Sequence, residues 1–301
     1  MICLFYLQVR IHIGKGYLLL KIAFWSSAKE KIGVTSNLAC ISVASVLEHS
    51  FKVILFENHC QKNRLENILR YHNSNYRLRE DYNYKIGEVV LGQALEEAYN
   101  VFQEASQVTT EISNVIRKAS MEILNSSLYY IPPANITNTR TFDFDLYDKV
   151  ESILDIFETF ADIIYIDTSN GNNLSSKIIL DEADLVVVNL AQNNSMIQHF
   201  FDNYSSILHK CVFIISSYKK KAKLTINKIS KIHLIDKSNI AIIPYNVEYQ
   251  EAVSHGNIVE FLMRNFSCKR SHPNYIFIKE VKKAVEMIMR NIELNHKEEY
   301  L

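Results

Sequence analysis

Short apolar runs separated by helix-length segments constrain this chain more than any other feature. Ile22-Ala23-Phe24-Trp25, Val53-Ile54-Leu55-Phe56, Ile163-Ile164-Tyr165-Ile166, Val186 to Leu190, Cys211 to Ile215 and Ile240 to Ile243 show little polar alternation. A strand with one wet face alternates apolar and polar residues, whereas a strand covered on both faces does not. The segments between the runs carry helical spacing. Thr35 to Leu47 places Leu38, Ile41, Val43 and Val46 near one side, and Leu146 to Phe160 leads into the third run as a helix. Strands alternating with helices predict an α/β fold, a mostly parallel sheet with helices on both faces. At 301 residues the chain is long enough for one such domain and its core.

Between these landmarks the reading is uneven. Leu65 to Tyr71 reads as a short helix, and residues 72 to 128 are the least assignable stretch. Val89 to Leu124 within it reads as largely helical, with Val108, Ile112, Val115, Ile116, Ala119 and Ile123 forming an apolar stripe. Leu128-Tyr129-Tyr130-Ile131 reads as a strand stopped by Pro132-Pro133, and Asn170-Gly171-Asn172-Asn173 as a turn. Tyr275 to Leu294 is an amphipathic helix expected to pack on the chain's own sheet. The domain is expected to span 21–301, with a helical insertion around 72–128 and a C-terminal helix. Residues 1–20 read as an N-terminal extension, either an extra strand or an over-extended gene start. Arg10, His12 and Lys15 break its apolar patches, and no small-residue cleavage site follows.

The segment joining the first strand to the first helix carries the chemistry. Ser27-Ala28-Lys29-Glu30-Lys31-Ile32-Gly33-Val34-Thr35-Ser36-Asn37-Leu38-Ala39 has the placement of a phosphate-binding loop. Such a loop wraps phosphates with backbone N–H groups, sets a Lys on the β/γ-phosphates and offers a Ser/Thr hydroxyl to Mg²⁺. Here Thr35 and Ser36 stand in the hydroxyl position, Gly33 lies two residues before Thr35, and Val34 fills the lysine slot.

With three later segments this loop resembles the ParA/MinD family of deviant Walker ATPases, which includes partition ATPases and the TadZ/CpaE-type pilus-localisation proteins. The family loop reads K-G-G-x-G-K-T-T. Lys29 matches its first, signature Lys, Gly33 its last Gly and Thr35-Ser36 its T-T, while Glu30 and Lys31 replace two glycines and Val34 replaces the second Lys. Lys52 to Gln61 is similar to the second strand, which ends V-D-x-D-P-Q, with Glu57 at or next to the first Asp. Ala161 to Thr168 resembles the Walker B strand, Ala183 to Val188 the A-D-x-V-I-V strand, and Ile242-Ile243-Pro244-Tyr245-Asn246 the late I-P-x-N segment. The resemblance covers roughly Lys21 to Leu262.

The resemblance implies a site. Lys29, Lys31, Ile32, Gly33, Val34, Thr35 and Ser36 would surround the phosphates of ATP or ADP, and Thr35 and Asp167 would serve Mg²⁺. Lys29 would reach a partner's phosphates across a dimer, Glu57 would hold or activate water with Asn58 as a weaker alternative, and Pro244, Tyr245 and Asn246 would frame the base. Ser216-Ser217 stand where the family often has an Asn that reads adenine. The missing loop charge points to weak or absent hydrolysis, since a charged hydrogen bond is worth roughly 1.5–3 kcal/mol.

Two functions stay open. One is a cytoplasmic, nucleotide-dependent positioning protein that acts as a homodimer and recruits a protein partner, in plasmid or chromosome partition or in pilus localisation. The other is a non-catalytic scaffold that keeps the fold and binds no nucleotide. Lys and Arg total 33 against 33 Asp and Glu, which excludes a broad basic footprint for nucleic acid. The single basic run, Tyr218 to Lys223, leaves local DNA contact weakly supported. Membrane binding through the C-terminal helix is disfavoured because Glu280 and Glu286 dilute its basic face. The five cysteines form no C-x-x-C pair and the histidines no metal motif, so no metal beyond Mg²⁺ is expected.

Overall fold

The computed structural model describes residues 20–28, 32–60, 64–69, 105–124, 127–133, 138–170 and 173–299. The extension before Leu20, the first part of the helical insertion and Lys29 to Lys31 lie outside them. Strand β1 (Leu20–Trp25) leads to α1 (Val34–Glu48), β2 (Val53–Asn58) and α2 (Arg64–Leu69). Then come α3 (Ala105–Ala119), β3 (Met121–Ile123), β4 (Leu128–Ile131), α4 (Thr139–Tyr147) and α5 (Val150–Glu158). Next are β5 (Ile163–Thr168), α6 (Leu174–Glu182), β6 (Leu185–Leu190), α7 (Asn194–Asn203) and β7 (Cys211–Tyr218). The last are α8 (Ile226–His233), β8 (Ile240–Pro244), α9 (Val247–His255), α10 (Ile258–Asn265) and α11 (Tyr275–Glu299).

The eight strands form one sheet in the order β3-β4-β2-β5-β1-β6-β7-β8, all parallel except β3 against β4. The expected mostly parallel α/β architecture is therefore present. Alternation along each strand divides two apolar layers. Leu20, Ile22 and Phe24 of β1 join Leu55, Tyr165 and Val187 beneath α1 and α11, while Ala23 and Trp25 join Ile54, Ile166 and Phe200 on the opposite face. α1 crosses the sheet centre and is buried nearly all round. Small residues make that possible, and its hydroxyls stay inside the fold: Ser42 donates to the Ala39 carbonyl, and Ser45 bonds the Ile41 carbonyl and Tyr165 Oη.

Two expectations need correction. The helix read through Leu124 ends at Ala119, and Met121–Ile123 instead pairs antiparallel with β4. A tight reversal permits this: Leu124 takes φ +51° and its carbonyl accepts from Ser127 N–H at 3.0 Å. The single helix read from Leu146 to Phe160 breaks at Asp148-Lys149, where Asp148 N–H turns back to the Leu146 and Phe144 carbonyls. Of α4 only Phe142 is buried, whereas α5 buries Val150, Ile153, Leu154, Ile156 and Phe157. The C-terminal helix packs on the sheet as expected, with Phe277, Val281, Ala284, Val285 and Ile288 buried in the α1 layer.

Candidate functional site

The carboxyl ends of β1, β2, β5, β6, β7 and β8 point to one edge of the sheet. In open parallel sheets this is the edge where ligands bind. The chain leaves β1 there and enters α1 through Gly33, whose φ of +85° puts it in the left-handed region. A Cβ at Gly33 would meet Ser36 Oγ at 3.0 Å, and that hydroxyl donates to the Gly33 carbonyl at 3.0 Å. Among the described residues no side chain caps α1. Its first N–H groups and positive dipole end therefore remain available to an anion. Thr35 and Ser36 are half-buried in that first turn, and Val34 packs against the apolar layer below. Ile32 is half-buried just ahead of Gly33; Lys29 and Lys31 lie outside the described residues.

Register brings the two acidic candidates together. Glu57 of β2 and Asp167 of β5 are paired positions on adjacent strands, and Phe24 of β1 flanks Asp167 on the other side. Asp167 is fully buried, and among the described residues neither of its oxygens has a hydrogen-bond donor. An unpaired buried carboxylate is costly and calls for a counter-charge. His59 supplies one. Its Nε2 lies 3.3 Å from Asp167 Oδ2, close enough for charge attraction but without the alignment of a hydrogen bond. Burial works against imidazolium, but Asp167 and Glu57 outweigh it and hold the His59 pKa above its ordinary value.

Glu57 is bonded differently. Oε2 accepts from Tyr130 Oη at 2.8 Å and from Leu65 N–H at 3.3 Å, and Oε1 accepts from Arg64 N–H at 3.3 Å. The carboxylate thus anchors the start of α2. Burial and the neighbouring Asp167 raise its pKa to about 7, against the opposing effects of His59, Tyr130 and the Leu65 N–H. Asn58 points to the other face, where it donates to Ser176 Oγ at 3.1 Å and accepts from Ser175 Oγ at 3.3 Å. It is therefore not a substitute for Glu57.

A second polar cluster fixes α1 from the β6–β7 side. Asn37 Nδ2 donates to Asn189 Oδ1 and to Ser216 Oγ, each at 2.8 Å. Ser216 is thereby turned inward, while Ser217 is exposed with φ +48°. At the end of β8, Tyr245 is exposed and Lys219 Nζ lies 5.5 Å from its ring centre. Pro244 is half-buried, and Asn246 caps α9 by accepting from Tyr249 N–H at 2.8 Å. Tyr249 Oη in turn donates to the Ser36 carbonyl at 2.9 Å, which ties the β8 segment to the first turn of α1.

No protein-family model matches the sequence, and no curated protein matches it. Solved structures do. A ParA family ATPase from Chlorobium tepidum TLS superposes with a TM-score of 0.60 at 14% identity, covering 90% of this chain and 99% of its own. The MinD cell-division ATPase of Pyrococcus furiosus gives 0.61 at 15% identity, covering 89% and 98%. MinD of Pyrococcus horikoshii OT3, solved with Mg-ADP, gives 0.61 at 16% identity, covering 91% and 98%. The chain has the ParA/MinD fold. Within that fold Gly33 closes the strand-to-helix loop and Val34 to Ser36 open α1, Asp167 lies near the end of β5, and Pro244 ends the last strand ahead of Tyr245 and Asn246.

Sequence reasoning missed His59, Tyr130, Asn37 and Tyr249. His59 had one usable signal: it lies two residues beyond Glu57, so the strand period sets both on one face.

Proposed function

We propose that this chain is a ParA/MinD-like nucleotide-dependent positioning protein that binds ATP or ADP and hydrolyses it slowly or not at all. The supporting observation is Asp167, a fully buried carboxylate without a donor among the described residues, beside the uncapped start of α1. His59 answers its charge but, among the described residues, leaves both carboxylate oxygens without a hydrogen-bond donor, a cost that a structural role alone does not explain. Its oxygens and the Thr35 hydroxyl at the start of α1 would hold a hydrated divalent cation, which would supply charge neutralisation for the β/γ-phosphates when bound. The α1 N–H groups bind the phosphates, with Lys29 and Lys31 as the cations of the loop. Ser36 holds the Gly33 turn closed. Glu57, with a pKa of about 7, is the candidate base, and its occupied lone pairs agree with slow turnover. Tyr245 offers an exposed ring beside the base position.

By analogy with the fold, nucleotide drives dimerisation and dimerisation recruits a protein partner. The exposed run Lys219, Lys220, Lys221 and Lys223 is the candidate contact for DNA. The apolar face of α11 packs on the sheet, and among the described residues no helix is long and apolar enough to cross a membrane. The compartment we propose is the cytoplasm.

Val34 favours a second reading. Its side chain belongs to the apolar layer instead of facing a phosphate, as suits a scaffold that no longer binds nucleotide. Calorimetric titration with Mg²⁺ and a slowly hydrolysed ATP analogue, with sedimentation alongside, decides between the two. Binding with dimer formation, abolished in Asp167→Ala, is the expected result. No heat and no mass change at millimolar ligand would leave the scaffold.

A further inference from the structure

We propose that His59 and Asp167 together form a divalent-cation site that prefers first-row transition ions such as Mn²⁺ over Mg²⁺. The inference rests on the reading of Asp167 as a cation ligand and goes beyond it by adding a nitrogen ligand. His59 Nε2 and Asp167 Oδ2 are 3.3 Å apart, and neither atom has a hydrogen-bond partner among the described residues. Two ligand atoms held about 2.1 Å from one ion lie about 3.0 Å apart at a right angle and about 3.4 Å apart at a tetrahedral angle. The observed separation falls between those limits. A cation entering there would displace the Nε2 proton to solvent and take that lone pair together with the carboxylate oxygen.

The surroundings agree. Asp167 is fully buried, and the His59 side chain is 13% exposed. Glu57 does not compete for the ion because its oxygens hold Tyr130 and the start of α2. Among the described residues no third His, Cys, Asp or Glu joins the pair. The remaining positions would be filled by water or by nucleotide phosphate, as in an open site. Imidazole adds affinity for first-row transition ions, whereas Mg²⁺ holds its water and takes oxygen ligands. Mn²⁺ is the weakest binder of the transition series, so a preference seen with it is a conservative test.

The test uses the full chain and the metals alone, MnCl₂ against MgCl₂, by calorimetry and by electron paramagnetic resonance of Mn²⁺. We expect Mn²⁺ to bind at least about tenfold more tightly than Mg²⁺, and His59→Ala and His59→Gln to erase the difference. Circular dichroism checks that both variants fold. If they do not, selective broadening of one imidazole among the ten histidines of the labelled wild type by Mn²⁺ carries the test. Equal affinities, a preference that survives His59→Ala, tighter binding of both ions in that variant, or no selective broadening would each overturn the proposal. A parallel titration with the ATP analogue separates it from the functional reading. Nucleotide binding without a Mn²⁺ preference sinks only the His59 site, and a Mn²⁺ preference without nucleotide binding sinks only the nucleotide switch.

Discussion

Glu57 has its oxygens engaged by Tyr130 and by the first N–H groups of α2. Truncation to Ala strands those donors, and a buried unsatisfied group costs about 1–3 kcal/mol. Glu57→Ala is therefore expected to lose roughly 2–4 kcal/mol in urea denaturation, and Glu57→Gln, which keeps an accepting oxygen, less than about half of that. A loss near zero for Ala would show that α2 is held by other contacts. Lys52 gives the pH prediction. Burial, then the Arg117 guanidinium, lower its pKa from 10.5 to about 8 against the pull of Asp162. Between those values the unfolded chain holds a proton that the folded chain has released, so stability rises with pH through that window. Lys52→Met should flatten the rise in melts taken from pH 7 to 10. The Phe160 ring lies 3.2 Å below the ammonium; were that contact to dominate, wild type would show no slope. Asp167 and Glu57 were legible in the sequence because each ends an apolar run. Their pairing, and the approach of His59, were not, since nothing in a single chain says that β2 and β5 are neighbours in register.

At the scale of elements, α1 depends on how it begins. Gly33 is left-handed and its missing Cβ leaves room for Ser36 Oγ. Gly33→Ala is expected to cost about 1–2 kcal/mol by thermal or urea unfolding. Ser36→Ala frees that space, yet the φ cost remains, so the double variant should recover little. Full recovery would mean that the clash, not the backbone, sets the penalty. The late segment begins with a cap. Asn246 accepts from Tyr249 N–H and donates to Asn274 Oδ1 at 2.9 Å, so Asn246→Ala should lose about 1–2 kcal/mol whether or not nucleotide is present. The strands buried on both faces were readable, because continuous apolar runs have one use in an α/β protein. Met121–Ile123 was not, since three residues following a helix fit one more helical turn as well as an edge strand. The α4–α5 break was hidden for a related reason: Leu146 and Val150 are spaced as in one helix and pack against the same apolar layer, so their pattern does not mark the turn between them.

For the whole molecule, α11 is the element that closes the sheet. Its apolar face lies over β8 and reaches α1, β6 and β7, and Lys282 bonds Glu48 at the end of α1 at 2.8 Å. A helix joined to that many strands belongs to the same cooperative unit as the sheet, so weakening it should lower the stability of everything at once. Ile288 is fully buried, and Ile288→Ala should cost about 2–5 kcal/mol, depending on how far the cavity collapses. Lys283 lies on the same helix, half-exposed in an ion pair with Glu280 at 2.8 Å. Surface pairs of this kind contribute little, so Lys283→Ala should stay within about 0.5 kcal/mol of wild type. Denaturant curves followed by both fluorescence and circular dichroism make the comparison. Coincident transitions for Ile288→Ala, shifted to lower denaturant with an unchanged slope, are expected. An early partial transition in that variant would mean that α11 peels away before the sheet unfolds, and the helix would then be a detachable arm with its apolar face available to a partner or a lipid surface.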